Sequence, residues 1–399
     1  MNTAVSKPLA LSQWKLPFFD AHHHEMADQL QQWVSEQSVN EVDDRVACRD
    51  WVARLGQGGW LRYCVPQSNG GALQHLDSRS LVILREILSW HSPLADFSFA
   101  MQGLGSGAIT LAGTADQQSR YLPAVAKGEK IAAFALSEED AGSDVAGMKT
   151  NATSNAKGFI LNGGKTWISN GGIADFYVVF AKTDASAGAR GISALIVDAP
   201  TTDMDDSQHL TVMSPHPMSR LLFNNCQLPS SALLGDLHGG FKLAMRTLDI
   251  FRASVAAAAI GMARRALHEA CTYAQNRQMF GQTLADFQMT QAKLGEMASL
   301  IDASALLTYR AAWMRDSTGT DSAKAGAYTQ VAAMAKLSAT ENAQRVIDMA
   351  LQMHGGQGVL VGNKIEALYR DIRALRIYEG ASEVQQLIVG KSVLKGMST

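Results

Sequence analysis

Apolar side chains recur at three- and four-residue spacing up to about residue 130, alternate every second residue through the next stretch, and then return to helical spacing. That double change of period constrains the fold more than any other feature, because a helix-period segment cannot bury its stripe as a strand. The helical opening is carried by "FFDAHHHEMADQLQQWVSEQ", "RVACRDWVARLGQGGW" and "SRSLVILREILSWH", with "VPQSNGGALQHLD" as a loop between the last two. From "IAAFALSEEDAGSD" onward come short runs separated by turns: "GFILNGGKTWIS", "ADFYVVFAKTD", "GISALIVDAP" and "SRLLFNNCQLP". Asn162-Gly163 between two alternating runs predicts a type I′ hairpin turn. Four long helical blocks follow, about 240–277, 285–317, 323–353 and 382–395, separated by the glycine-bearing loops "FGQTLAD" and "HGGQGVLVGN", and suggest an antiparallel bundle. The expected division is a helical segment 1–130, a β segment 131–239 and a helical segment 240–399, with no solenoid-type repeat.

Several classes are excluded. The charge is balanced, 35 basic against 37 acidic residues, without a basic block that would track a phosphate backbone, so nucleic acid is not an expected partner. The longest apolar run, Ala253 to Ala263, is about half of what a bilayer requires, is flanked by Arg252 and Arg264, and reads as a buried helix rather than a membrane span. The N-terminal "MNTAVSKPLALSQWK" has no long apolar run of the secretory kind, and a cytoplasmic protein is expected. Cys48, Cys64, Cys226 and Cys271 have no metal or disulfide spacing. Three consecutive histidines, His22 to His24, point in different directions on a helix, so no metal site is expected. "GLGSG" (103–107) has the wrong spacing for a dinucleotide fingerprint.

Five stretches could carry chemistry, and each has a structural alternative. "FALSEEDAGSD" (134–144) reads as a strand running into a loop rich in backbone and hydroxyl donors, suited to a polar cofactor edge or to plain solvation. In "KTWISNGG" (165–172), Trp167 and Ser169 share one face of a strand and could meet a flat ring, or Trp167 could be core. In "NRQMFGQTLADFQ" (276–288), Arg277 could satisfy helix-end carbonyls or grip a pyrophosphate, with Phe280-Gly281 setting the turn. Gly355 and Gly356 in "LQMHGGQG" could be a helix C-cap or allow close backbone approach. In "YEGASE" (378–383), Glu379 and Glu383 stand at a helix N-terminus, as capping carboxylates or, for Glu379, as a base held against a substrate.

In this order, "LSEEDAGSD", "GGKTWISNGG", "NRQMFGQTLADFQ", "MHGGQGV" and "YRDIRALRIYEGASEVQQLIVGKSVL" resemble the acyl-CoA dehydrogenase family across nearly the whole chain. The resemblance implies a mostly α fold: an N-terminal helical domain, a β-barrel-like middle domain and a C-terminal four-helix bundle. FAD would lie between domains and between subunits of a homo-oligomer, commonly a tetramer, otherwise a dimer. It implies that Phe134, Leu136, Ser137, Gly142 and Ser143 line the flavin or the CoA arm, and that Trp167 and Ser169 lie at the isoalloxazine. Arg277 would bind the pyrophosphate with Phe280 and Gln288 nearby, and Gln352, Gly355 and Gly356 would reach the adenosine half of a neighbour's FAD. Ala381 and Glu383 would be FAD-adjacent, while Ser143, Asp249, Arg252 and Gly380 would contact an acyl-CoA substrate. Glu379 aligns with the family's usual base: it would remove the α-proton while the β-hydrogen leaves as hydride to flavin N5, giving a trans-2-enoyl thioester, with an electron-transfer flavoprotein as acceptor. A base of this kind is expected to have a raised pKa. The chain departs from the family at Glu139, where Pro is frequent, at Ala381, where Thr or Ser often contacts FAD, and at Gln357, where an aromatic is common. An acyl group on a carrier protein, or an oxygen-reactive oxidase or monooxygenase, are the alternatives on the same fold; Glu379 argues against the monooxygenases.

Overall fold

The structure, a computed structural model, describes residues 14–318 and 322–397. Its helices are α1 (Ala21–Ser35), α2 (Asp44–Gln57), α3 (Ser78–His91), α4 (Pro93–Ala112), α5 (Ala115–Ala126), α6 (Gly240–Asn276), α7 (Gln288–Thr318), α8 (Ser322–His354), α9 (Lys364–Leu375) and α10 (Ser382–Gly396). Eight strands lie between α5 and α6: β1 (Ala132–Ala135), β2 (Asn151–Asn155), β3 (Gly158–Ser169), β4 (Phe176–Lys182), β5 (Ile192–Asp198), β6 (Met204–His209), β7 (Met218–Pro229) and β8 (Leu233–Leu234). The order helical, β, helical therefore holds. By contacts the chain forms two compact units: one from the described residues of Met1–Ser38, Ser78–Asp96 and Arg252–Thr399, the other from Val39–Asp77 and Phe97–Phe251. None of the described helices is long and apolar enough to cross a membrane.

In the first unit, α8 packs against α7, α9 and α10, and α3 packs against α1 and α7. The Ala253–Ala263 run is buried along α6, as its composition suggests. Small residues let helices approach closely here: a Cβ on Gly261 would sit 2.2 Å from the Glu86 carbonyl oxygen of α3. A buried polar cluster ties three helices, since the Glu86 carboxylate accepts from Arg264 Nε at 2.8 Å and from the Tyr309 hydroxyl at 2.8 Å. Helix α9 is an addition to the four long blocks expected. Its N-cap is Asn363, whose side chain accepts from Ile365 N–H, and its buried residues Ile365, Leu368, Ile372 and Leu375 form one stripe.

In the second unit the sheet runs β6-β7-β3-β2-β4-β5-β8, with β1 parallel to β4. The hairpin expected at Asn162-Gly163 is not there. Strand β3 runs through both residues, and the turn lies earlier, between Asn155 and Gly158, the last pair of the β2–β3 ladder. Asn162-Gly163 instead marks a register shift against β7. The Asn162 side chain accepts the Asn225 N–H at 2.7 Å, and a Cβ on Gly163 would meet Thr150 Cα at 2.7 Å. The glycine is there for close approach within the sheet rather than for chain reversal. The glycines of "GLGSG" likewise serve packing, for a Cβ on Gly103 would collide with the Phe251 ring and one on Gly105 with Ala132.

Because a Cβ on Gly261 would meet the Glu86 backbone as well as the Ser89 hydroxyl, Gly261→Ala is expected to lower stability by about 2 kcal/mol or more, read as a fall in the thermal midpoint with secondary structure retained.

Candidate active site

Between α9 and α10 the chain makes a tight turn through Tyr378, Glu379 and Gly380. Glu379 has φ +53° and Gly380 φ +93°, so two successive residues are left-handed. For a glutamate this is a conformation that costs of order 1–3 kcal/mol and persists only where the surroundings impose it. Those surroundings are specific. Lys336 Nζ of α8 donates to the Gly380 carbonyl at 2.7 Å, and Gln385 Nε2 of α10 donates to the same oxygen at 2.9 Å. The Ser382 N–H closes the loop onto the Arg376 carbonyl at 3.1 Å. Glu341 fixes both ends, accepting from Arg376 Nε at 2.8 Å and from the Ser382 hydroxyl at 2.5 Å.

Glu379 as a residue is half-buried, but its Oε2 is buried and accepts no hydrogen bond from the described residues. Burial raises its pKa above the ordinary carboxylate value; the positive charges of Arg85, Lys336 and Arg252 oppose that rise, and Asp96 adds to it. These cations are themselves buried: Arg85 is 1% exposed, Lys336 0% and Arg252 5%. Arg85 is bound bidentately to Asp96, Nε to Oδ1 at 2.8 Å and Nη2 to Oδ2 at 2.9 Å, while Nη1 donates to the Ser254 hydroxyl at 3.0 Å. Burial opposes the charge on Arg85, but Asp96 outweighs it and keeps the guanidinium firmly protonated. Lys336 is brought down to about 8, by burial first, against the pull of Glu379. The capping alternative for Glu379 fails, since the N-cap of α10 is Ala381, which has no side-chain cap; Glu383 lies exposed in the first turn. Asp249 is half-buried on α6.

In the second unit, β1 leads into the acidic loop. Glu138 is structural: its carboxylate accepts from the backbone N–H groups of Lys149 at 2.6 Å and Thr150 at 3.0 Å, and from the buried Lys165 ammonium at 2.8 Å. Lys165 also donates to the Leu136 carbonyl, and Thr166 N–H to the Ser137 carbonyl. Leu136 is buried, Phe134 rests against Phe180 with centroids 4.9 Å apart, and Gly142 and Ser143 are exposed. A register shift between Lys165 and Ile168 breaks the alternation of β3, with Trp167 at φ +60°. Lys165, Thr166 and Ile168 go inward, and the Trp167 ring is left 55% exposed, so the core alternative for Trp167 fails. Ser169 is half-buried.

The C-terminal glycine motif and the Arg277 motif meet. Arg277, Gln352, Gly355 and Gly356 line one cavity of about 650 Å³ in the first unit, together with Lys293 and His354. Gly355 is left-handed at φ +56° and ends α8, and neither glycine has an atom within 4 Å of where a Cβ would stand. Phe280 and Gly281, at φ +49° and +81°, form the hairpin turn between Gln278–Met279 and Gln282–Thr283, with the Phe280 ring 88% exposed. Gln288 is exposed at the start of α7.

Sequence reasoning missed Arg85, Asp96, Ser254, Lys336, Gln385 and Glu341. One signal was available: Arg85-Glu86 interrupts an otherwise apolar stretch of α3, and a charged pair on a buried helix requires partners. The metal expectation meets one cluster: donor atoms of Asp20, His22 and His23 lie within 4.8 Å of one another. Asp20 accepts from Arg79 Nη1 at 2.8 Å, and His23 Nδ1 accepts the Asp20 N–H at 3.1 Å.

In the second unit the Trp167 ring stands open on its bulged strand; in the first unit Arg277 and the paired glycines wall one cavity, and Glu379 keeps a buried carboxylate oxygen that accepts nothing from the described residues. Acyl-CoA dehydrogenase domains match three stretches of the chain: the N-terminal domain residues 20–129, the middle domain 133–226 and the C-terminal domain 238–394. The chain belongs to the acyl-CoA dehydrogenase family. It is 37% identical to a 3-(aryl)acrylate reductase of Clostridium sporogenes, over 94% of this chain and 100% of that protein. It is also 37% identical to the CarC subunit of the caffeyl-CoA reductase–Etf complex of Acetobacterium woodii, over 86% of this chain and 89% of that one. The solved butyryl-CoA dehydrogenase of Megasphaera elsdenii superposes with TM-score 0.86 at 30% identity, covering 94% and 99%. The protein is thus an FAD-binding oxidoreductase that acts on acyl-CoA. The residues present fit the cofactor: Trp167 offers an open aromatic face, and Arg277 with the Gly355-Gly356 backbone offers a cation and N–H groups without side-chain obstruction.

Removing the Asp96 carboxylate would leave Arg85 as an uncompensated buried charge. Asp96→Ala is therefore expected to cost about 3–5 kcal/mol of stability, measured by denaturant unfolding, whereas removing the exposed Glu383 carboxylate (Glu383→Gln) should cost under about 1 kcal/mol.

Proposed function

We propose that this protein dehydrogenates an acyl-CoA thioester at its α,β bond to a trans-2-enoyl-CoA, with Glu379 as the base that takes the α-proton. The observation that carries the reading is the Glu379 carboxylate: one oxygen buried without a donor, in a turn fixed by Lys336 and Gln385, beside buried cations. When bound, FAD supplies the hydride acceptor for the β-hydrogen. A carboxylate that accepts no protein hydrogen bond keeps its lone pair available for the substrate proton, and its raised pKa makes it a stronger base than a solvated glutamate. The Glu379 backbone N–H is offered to the thioester carbonyl, where it would stabilise developing enolate charge.

Phe134, Leu136, Ser137, Gly142, Ser143, Trp167 and Ser169 are assigned to the flavin half of FAD, with Ala381 and Glu383 adjacent. Arg277 is assigned to the FAD pyrophosphate with Phe280 and Gln288 near it, and Gln352, Gly355 and Gly356 to the adenosine half of a neighbouring subunit's FAD. The exposed Phe280 ring and the cavity shared by Arg277 and Gly355-Gly356 support an assembly in which two copies complete each site, a tetramer or a dimer. Asp249, Arg252, Ser143 and Gly380 are assigned to the substrate. An electron-transfer flavoprotein is proposed as redox partner, supported by the complex to which the Acetobacterium woodii relative belongs. The domains are assigned as 1–130, 131–239 and 240–399. Four free thiols support a reducing compartment, the cytoplasm.

A second reading has a specific observation in its favour. Two relatives at 37% identity are named as reductases, one of arylacrylates and one of caffeyl-CoA. In that direction Glu379, protonated, would return a proton to the α-carbon; the same carboxyl group serves both directions, and its raised pKa suits it as an acid as well.

Glu379→Gln should abolish the anaerobic bleaching of bound FAD by saturated CoA thioesters of graded length, and its reoxidation by enoyl-CoA, while FAD stays bound. Unchanged reduction in that variant contradicts the role of Glu379, and failure of every CoA thioester with wild type points to a carrier-bound or other substrate. Since the base must be ionised to dehydrogenate, kcat/KM should fall as pH drops through the Glu379 pKa, with a midpoint above the ordinary carboxylate value of about 4.3. A midpoint at or below that value would contradict the buried-base account.

A further inference from the structure

Lys336 lies in the alanine-rich middle of α8, yet it is fully buried and donates to the carbonyl of Gly380, the residue after Glu379. A buried ammonium is costly unless it meets compensating groups. Here it meets a backbone carbonyl in the turn where Glu379 and Gly380 are left-handed in succession. We propose that Lys336 is a positioning residue for Glu379: its hydrogen bond to Gly380 holds the carboxylate in place, and its charge keeps that carboxylate ionised at working pH.

The charged and titratable groups facing the pair come from several helices and the turn. Arg85 on α3, Asp96 on α4, Arg252 on α6 and, in the turn itself, Tyr378 face Glu379; Arg252, Glu341 on α8 and Glu383 on α10 face Lys336. Of the cations, Arg85 has its donors committed to Asp96 and Ser254, so its field is partly cancelled by the Asp96 charge. Lys336 has no carboxylate within ion-pairing distance recorded among the described residues; its donor goes to an uncharged carbonyl, and Glu379 is the anion that acts on it most strongly. Its charge acts on Glu379 first, and more weakly on Glu341 and Glu383. The lowering of Lys336 to about 8 has the sign expected of a cation whose burial outweighs the pull of those three carboxylates. Gln385 reinforces the position but not the charge, since it donates an amide to the same carbonyl at 2.9 Å.

The inference rests on Glu379 being the base, and two substitutions separate anchor from charge. Lys336→Gln removes the charge and keeps a donor near Gly380; Lys336→Met removes both. In holoenzyme of each variant, with FAD content checked by absorbance, the acid limb of kcat/KM is expected to move to higher pH by about one unit or more. In Lys336→Met, kcat at the plateau should also fall about 10- to 100-fold as the carboxylate loses its position. A purely structural Lys336 would lower stability or FAD content without moving the limb. If either variant that retains FAD shows the wild-type limb, the inference is overturned, and if one does not fold the other decides. Glu379→Gln is run beside them: full activity there would remove the base reading itself, whereas an inactive Glu379→Gln with an unmoved limb in the Lys336 variants would remove only this inference.

Discussion

The site depends on a carboxylate kept dry and near cations without being neutralised by any of them. Burial alone would favour the protonated form of Glu379; a direct ion pair would hold it charged but occupy its lone pairs. Two of the cations that act on it have other acceptors. Arg85 spends its fork on Asp96 and its remaining nitrogen on Ser254, and Lys336 donates to the Gly380 carbonyl. Their charges still oppose protonation of Glu379, while Oε2 accepts no hydrogen bond from the described residues.

This arrangement requires helices held in register, and the packing supplies that. Gly261 brings α6 onto α3, and Glu86 joins α3, α6 and α7 through Arg264 and Tyr309. Arg85, one residue before Glu86, is thereby fixed on a buried face. At the other side, Glu341 ties Arg376 before the turn to Ser382 after it, so that the left-handed Glu379 is imposed by both its flanks. The strain of that turn is stored where the chemistry is proposed, as strained backbone commonly is.

Much of the fold was legible because periodicity is local. The order of segments and the long helices followed from spacing, and the buried Ala253–Ala263 run followed from its length. Asn162-Gly163 was misread because a glycine signals permissiveness, not its purpose: here it lets Thr150 approach within a sheet. The Glu379, Trp167 and Arg277 motifs were found through family resemblance, and from the residues alone a structural alternative stood open for each; the 55% exposure of Trp167 and the Ala381 N-cap of α10 remove it for Trp167 and Glu379. The supporting shell was illegible for a different reason. Lys336 is 44 residues from its acceptor, and Arg264 is 178 from Glu86. No window of sequence contains such a pair, and a lysine on a helix reads as solvated until the helix face it occupies is known.

The most direct measurement is exchange at the substrate's α-carbon. Holoenzyme is incubated anaerobically in D2O with saturated CoA thioesters of graded length, and the recovered thioester is weighed by mass spectrometry. The account predicts deuterium at the α-carbon for at least one thioester, at a rate that rises with pH along a single titration lying above the usual carboxylate range. Flavin reduction without α-exchange at any pH, or exchange whose rate follows no carboxyl titration, would contradict it.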